Sequence, residues 1–138
     1  MSLPNIQMSV VIATPDNYQS IRKTISCLRA QTVKKQLEIV IIAPSRKQLH
    51  LDESQLQEFG QFQVVEVGHI SSAAFAKHTG LRHANATIVA FTENHVYPNA
   101  EWAQSLIAAY QQPWAAIGPA MVNANPKSAI SWALFMNA

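Results

Sequence analysis

Short apolar segments alternate with segments of helical periodicity along the chain, and this alternation constrains the fold more than any other feature. Residues 8–13 (MSVVIA) and 37–42 (LEIVII) are too apolar to leave one face in water, which is typical of parallel strands covered on both sides. Residues 62–67, 87–91 and 114–122 predict three further strands. We therefore predict an α/β fold, a Rossmann-like, doubly wound, mainly parallel sheet of about five strands with flanking helices.

Capping residues predict where the intervening helices begin. The candidate first residues are Asp16, Asp52, Ser71 or Ser72, and Asn99, with Pro126 in the first turn of a last helix. The third of these helices is Ala-rich and runs to about Ala84. Its Gly80 would let it lie close against the sheet.

The composition is that of one small domain. The chain has 138 residues, of which we assign 1–7 to an N-terminal tail, a candidate cloning remnant, and 8–138 to a single domain. Ten Lys and Arg against eight Asp and Glu, without a basic block, argue against nucleic-acid binding. The single Cys27 fits a reducing, cytoplasmic compartment. With 49% apolar and 13% charged residues, some apolar surface is expected to meet a partner.

Polar residues cluster after the fourth predicted strand, in residues 91–98 (FTENHVYP). In doubly wound sheets, ligands bind beyond the carboxyl ends of the strands. Glu93 and His95 are one residue apart, so a bend could turn both toward one divalent ion, Mn²⁺ or Mg²⁺. The alternative is a solvated acid, a turn residue and a surface histidine that bind nothing.

A cation on the helix before this strand could neutralise a pyrophosphate at the same edge. Lys77 and Arg82 are the candidates, and their five-residue spacing allows only one of them to reach the cleft. The motifs GxGxxG, GxxxxGK[ST] and GxSxG do not occur, which disfavours a dinucleotide cradle, a P-loop and an α/β-hydrolase.

Three segments together resemble the first half of a family 2 glycosyltransferase of the GT-A fold. Residues 9–17 (SVVIATPDN) resemble the family's SVVIPTYN, and residues 28–42 (LRAQTVKKQLEIVII) resemble LLAQTYPDFEIIVV. Residues 75–102 (FAKHTGLRHANATIVAFTENHVYPNAEW) are similar to ARNAGLRAARGEYIAFLDDDDxPxPxWL. The ordered agreement covers roughly residues 8–112 and implies a nucleotide-sugar-binding half-domain.

The resemblance implies roles for individual residues. Thr14 and Asp16 would lie in the loop that approaches the nucleobase, and Lys77 would replace an arginine near the diphosphate. Glu93 and His95 would replace the aspartates of the DxD motif, which touches the ribose and coordinates the divalent ion. The set expected to bind the nucleotide sugar is therefore Thr14, Asp16, Lys77 and Glu93, and the metal ligands are Glu93 and His95.

The chain departs from the family's pattern at the nucleobase end. Ala43-Pro44-Ser45 stands where the family carries a base-binding aspartate, and Pro15 replaces an aromatic residue. The resemblance also implies that the catalytic general base lies beyond Ala138, so this chain alone would bind a donor without catalysing transfer.

The predicted function is the donor-binding part of a nucleotide-diphospho-sugar-dependent glycosyltransferase with an unknown acceptor. We expect a cytoplasmic protein, with its acceptor able to place it at the inner membrane surface, and a homodimer formed through the last strand and helix. One alternative is a catalytically inactive, glycosyltransferase-like interaction module, which Ala43 and Pro15 favour. A weaker alternative is a nucleotidyltransferase of similar topology.

Overall fold

Four parallel strands form one sheet in the computed structural model, which describes residues 5–137. The strands are β1 (Met8–Ala13), β2 (Leu37–Ala43), β3 (Gln61–Glu66) and β4 (Ile88–Thr92). Their spatial order is β3-β2-β1-β4. The α/β class and the parallel sheet are thus confirmed. Residues 1–4 of the predicted tail lie outside the described residues.

The strand order places a topological switch between β1 and β4. The chain adds β2 and then β3 on one side of β1, and afterwards returns to add β4 on the other side. Ile12 pairs with Thr92 and Ala13 with Ile42, so the carboxyl ends of three strands lie side by side. A ligand cleft is expected where the connections diverge from β1 and β4.

Helices cover both faces of this sheet. The helices of the chain are α1 (Arg22–Arg29), α2 (Arg46–Leu49), α3 (Ala73–His83), α4 (Trp102–Ala109) and α5 (Ala129–Phe135), with single 3₁₀ turns at Tyr18–Ser20, Lys34–Gln36 and Glu53–Gln55. Of these, α5 contributes no buried residue to either face. The larger core lies between the sheet and α1 with α4, and includes Ile25, Leu28, Ala103, Leu106 and Ile107. On the opposite face, Ala76 of α3 packs with Val11, Val40 and Ile42.

Two of the predicted helix caps are confirmed. The Ser72 hydroxyl accepts a hydrogen bond from the Phe75 N–H (3.1 Å), and it caps α3. The Asp52 carboxylate accepts from the Ser54 N–H (3.1 Å) at the start of the turn Glu53–Gln55. Such side-chain acceptors satisfy N–H groups that the first helical turn leaves without partners.

The other two predicted caps, and the proline predicted in the first turn of the last helix, are wrong. Asn17, not Asp16, caps the first helical turn, because its side-chain oxygen accepts from the Gln19 N–H (3.0 Å). The residue that precedes α4 is Glu101, which makes no side-chain cap, so Asn99 lies before the helix instead of capping it. Likewise α5 begins after Ser128, and the proline predicted in its first turn lies outside the helix.

The fifth predicted strand is also wrong. Residues 114–122 form no strand within the described part of the chain. Pro119 lies inside this segment and has no N–H to donate to a neighbouring strand. Met121 and Val122 are 62% and 87% exposed, so the apolar run is not buried as its composition predicts.

The carboxylate of Glu38 is completely buried within the sheet. It lies in β2, a segment that is predicted to be a strand because of its apolar residues. Glu38 of β2 accepts hydrogen bonds from the Asn85 N–H (2.8 Å) and side-chain amide (2.6 Å), from the Gln63 amide (2.8 Å) and from the Ser9 hydroxyl. Burial by itself raises the pKa of this carboxyl, but the hydrogen bonds outweigh burial and hold the pKa below its usual 4.5. The network fixes the connection between α3 and β4, which delivers the FTENHVYP segment.

Gly80 marks a very close approach of α3 to the sheet, as the sequence predicts. A Cβ added to Gly80 would lie 2.2 Å from Cγ1 of Val11. We expect Gly80→Ala to lower the free energy of unfolding by about 1–2 kcal/mol, because overpacking outweighs the gain in helix propensity. Urea denaturation measures this, with Gly118→Ala as the control because a Cβ there would contact nothing within 4 Å. Equal stabilities for the two variants would contradict the packing.

Glu38→Gln tests the buried network through its pH dependence. At neutral pH we expect a loss of about 2 kcal/mol in unfolding free energy, because the charged acceptor is removed and an amide group faces the Asn85 N–H. Since folding lowers the pKa of Glu38, its contribution is complete above the usual 4.5 and is lost as the pH falls through the folded-state pKa.

The gap in stability between wild type and Glu38→Gln should therefore shrink below about pH 4.5 in urea titrations. Glu101→Gln, which alters an exposed carboxylate, is the matched control and should stay close to wild type. If the difference in unfolding free energy between wild type and Glu38→Gln were the same at pH 7 and pH 3, the charge of the Glu38 carboxylate would contribute nothing to stability.

Candidate functional site

A cleft of about 340 Å³ opens at the carboxyl ends of β1 and β4, where the strand order predicts it. Its walls are the ends of the two strands, the loop after each of them and the first turns of α3. The lining residues include Pro15, Ser72, Lys77, Thr92, Glu93 and Asn94. Two residues predicted as nucleotide ligands, Lys77 and Glu93, thus share one cleft.

Lys77 is exposed and lies in the second turn of α3. Arg82 is not among the cleft residues, as expected from the five-residue spacing on one helix. Ser72 and Ala73 at the start of α3 also line the cleft, so the partly positive end of an 11-residue helix faces it. An anion in the cleft would therefore meet one ammonium group and one helix N-terminus.

The predicted residues of the loop after β1 lie differently. Thr14 is fully buried, and its hydroxyl is 2.7 Å from the Ser20 hydroxyl and accepts from the Asp16 N–H (3.2 Å). Thr14 therefore shapes this loop from inside. Asp16 is exposed, and neither it nor Thr14 lines the cleft, whereas Pro15 between them does.

Glu93 and His95 are brought together just after β4. The Glu93 carboxylate lies 3.3 Å from Nε2 of His95, and both side chains are more than half exposed. Nδ1 of His95 is 3.0 Å from the side-chain oxygen of Asn94. With Nδ1–H donating to that oxygen, Nε2 keeps a lone pair and can act as a metal ligand beside the carboxylate. With both ring nitrogens protonated, the same contact is an ion pair with Glu93.

The separation of this pair suits two ligands of one divalent ion, although only Glu93 of the two lines the cleft. Oxygen ligands at about 2.1 Å from Mg²⁺ occupy adjacent octahedral corners about 3 Å apart, close to the Glu93–His95 separation. No group of three or more His, Cys, Asp or Glu residues that could hold a metal occurs among residues 5–137. An ion held by these two side chains would take its remaining ligands from phosphate oxygens and water, as Mg²⁺ commonly does.

Gln31 is a residue of this region that the sequence does not single out. It is buried at the end of α1, where its side-chain amide donates to the Asn99 carbonyl (2.6 Å). Its side-chain oxygen accepts from the Ala103 N–H in the first turn of α4 (2.9 Å). Gln31 therefore supplies the helix cap predicted for Asn99, and it fixes the far end of the segment that carries Glu93 and His95. The only local indication of this role in the sequence is that Gln31 is a polar residue directly after the apolar face of α1.

Comparison with known proteins identifies the family. Residues 9–135 match the model of the family described as Glycosyl transferase family 2. Because the match spans nearly the whole chain, the protein belongs to this family. No curated protein sequence is detectably similar to the chain.

Solved structures share the fold. TarS of S. aureus has a TM-score of 0.66 and 19% identity, with 77% of this chain and 20% of that chain covered. A structure of TarS 1-349 in complex with UDP has the same TM-score and identity and is covered to 32% of its length. The mannosyltransferase PcManGT from Pyrobaculum calidifontis, in complex with GDP-Man and Mn²⁺, has a TM-score of 0.55 and 21% sequence identity. The match covers 76% of this chain and 31% of that chain.

These similarities confirm that the chain has the GT-A fold of the N-terminal region of family 2 glycosyltransferases. The chain spans between a fifth and a third of the length of these relatives. Among residues 5–137, none of the helices has both the length and the apolar character required to cross a bilayer.

Proposed function

We propose that the chain is the donor-binding part of a nucleotide-diphospho-sugar-dependent glycosyltransferase. The observation that carries this proposal is the shared cleft of Lys77 and Glu93, with His95 beside the Glu93 carboxylate. Membership of glycosyl transferase family 2 supports it. Relatives of the same fold were solved with UDP, with UDP-GlcNAc, and with GDP-Man and Mn²⁺.

The charges around the cleft suit a diphosphate. The Lys77 ammonium would donate charge-assisted hydrogen bonds to phosphate oxygens, and the N-terminus of α3 would add partial positive charge. Glu93 and His95 would hold a divalent ion, Mn²⁺ or Mg²⁺. When bound, such an ion stabilises the negative charge that develops on the departing nucleoside diphosphate.

The nucleobase end relies on the loop after β1. We assign Asp16 to contacts with the base or its ribose, and Thr14 to holding that loop in shape. Pro15 offers an apolar wall without an aromatic face. The Ser45 hydroxyl accepts from the Gln48 N–H (3.0 Å) and caps α2, in the segment where the family carries a base-binding carboxylate.

Calorimetry with UDP and GDP, each with and without Mn²⁺, tests the proposal. We expect at least one of them to bind in an Mn²⁺-dependent way, and the Glu93→Ala, His95→Ala double variant to remove the Mn²⁺ dependence. Lys77→Ala should weaken binding by about tenfold or more, because a charge-assisted hydrogen bond contributes about 1.5–3 kcal/mol.

Arg82→Ala is the matched control, since it removes a cation from the same helix outside the cleft. It should bind within about twofold of wild type, because a distant exposed charge is largely screened. The donor site would be contradicted if neither nucleotide bound in an Mn²⁺-dependent way. It would also be contradicted if Lys77→Ala and Arg82→Ala lost equal amounts of nucleotide affinity.

We also propose that the chain is a cytoplasmic homodimer, with α5 as the contact. The strand predicted as the other half of this interface does not form, but α5 leaves Ile130 76% exposed and Leu134 69% exposed. Apolar residues at this exposure on one short helix favour association. The alternative function, a catalytically inactive interaction module, also predicts a dimer but predicts no nucleotide binding.

Sedimentation velocity over a dilution series tests the dimer. The wild-type chain should sediment as a dimer at micromolar concentration, and Leu134→Asp should sediment as a monomer because it places a charge in the apolar contact. Glu101→Asp is the control because it leaves the charge and α5 unaltered. A wild-type monomer at all concentrations would contradict this interface.

A further inference from the structure

Thr24 on α1 contacts the backbone of the segment that carries Glu93 and His95. Its hydroxyl lies 3.1 Å from the carbonyl oxygens of Asn94 and Val96, and 3.4 Å from the carbonyl oxygen of Glu93. A hydroxyl has one proton, so it donates to these carbonyls by sharing or exchange. Thr24 is fully buried, so its hydroxyl has no contact with bulk solvent.

The next residue toward the N-terminus of α1 contacts the same segment. Nζ of Lys23 lies 3.9 Å from the centroid of the Tyr97 ring, within range of a cation–π interaction. Between these contacts the chain turns, and the Val96 N–H donates to the Glu93 carbonyl (3.2 Å). The first turn of α1 therefore holds residues 93–97 from one side.

This arrangement compensates for the exposure of the two candidate ligands. The side chains of Glu93 and His95 are 51% and 72% exposed, so neighbouring side chains do not restrict them strongly. Their relative position therefore depends on the backbone between them. A binding site needs such support, because a displacement of about 1 Å weakens ligand contacts.

We propose that Thr24 is a positioning residue for the Glu93–His95 pair, a role that rests on the proposed donor site. Its buried hydroxyl lies within hydrogen-bond distance of three backbone carbonyl oxygens in one turn, those of Glu93, Asn94 and Val96, and it fixes the loop in the conformation that faces both ligands toward one ion. A merely structural hydroxyl would instead affect the stability of the whole domain, without a selective effect on this loop.

Two substitutions separate the hydroxyl from the methyl group. Thr24→Val removes the hydroxyl and keeps the shape, whereas Thr24→Ser keeps the hydroxyl and removes the methyl group. Amide hydrogen exchange in the whole chain follows the Val96 N–H, and the Gly68 N–H, which donates to the Pro44 carbonyl (3.0 Å), is the reference turn. Calorimetry with UDP and Mn²⁺ follows ligand binding.

We expect Thr24→Val to accelerate exchange at Val96 by about three- to tenfold, the effect of one net hydrogen bond, with Gly68 within about twofold of wild type. Mn²⁺-dependent affinity for UDP should fall by a similar factor, and Thr24→Ser should restore both. Unchanged exchange at Val96, or equal effects of the valine and serine variants, would overturn the positioning role.

The two measurements also separate this inference from the proposed function. Absence of Mn²⁺-dependent binding by the wild type contradicts the donor site, whereas the exchange of Val96 still decides whether Thr24 fixes the loop. If Thr24→Val does not fold, Thr24→Ala replaces it and is compared with Thr24→Ser, because these two differ only in the hydroxyl. Equal exchange at Val96 in that pair would overturn the inference.

Discussion

The parallel pairing of β4 with β1 is the interaction on which the site depends. Ile12 lies opposite Thr92, so the residues that follow both strands leave the sheet at the same level. Because side chains alternate between the two faces, a shift of this register by one residue would turn Glu93 away from Lys77. The buried network around Glu38 protects that register, since it ties the connection before β4 to the middle of the sheet.

Much of the sheet could be predicted from sequence, because strands covered on both faces leave long apolar runs. The bounds of all four strands agree with the prediction within one residue, for example Met8–Ala13 and Leu37–Ala43. The strand predicted at residues 114–122 does not form. This apolar run contains Pro119, and it pairs with no strand in the described part of the chain. Apolar composition also concealed Glu38, whose partners lie on other elements.

The site was predictable where its residues follow strand ends directly. Glu93 comes one residue after β4, and Lys77 lies on the helix that precedes it, so the topology alone brings both to the cleft. The supporting residues were not predictable. Thr24 and Gln31 act on backbone 70 and 72 residues further along the chain, and no local pattern records such contacts. Polar residues on α1 became informative only once the fold was known.

Diffraction from crystals grown with UDP and Mn²⁺ tests the central claim most directly, because the anomalous signal of manganese locates the ion. We expect a peak within about 2.0–2.3 Å of a Glu93 carboxylate oxygen and Nε2 of His95, with the diphosphate between the ion and the Lys77 ammonium. A manganese ion bound elsewhere, or a nucleotide outside the cleft between β1 and β4, would contradict it.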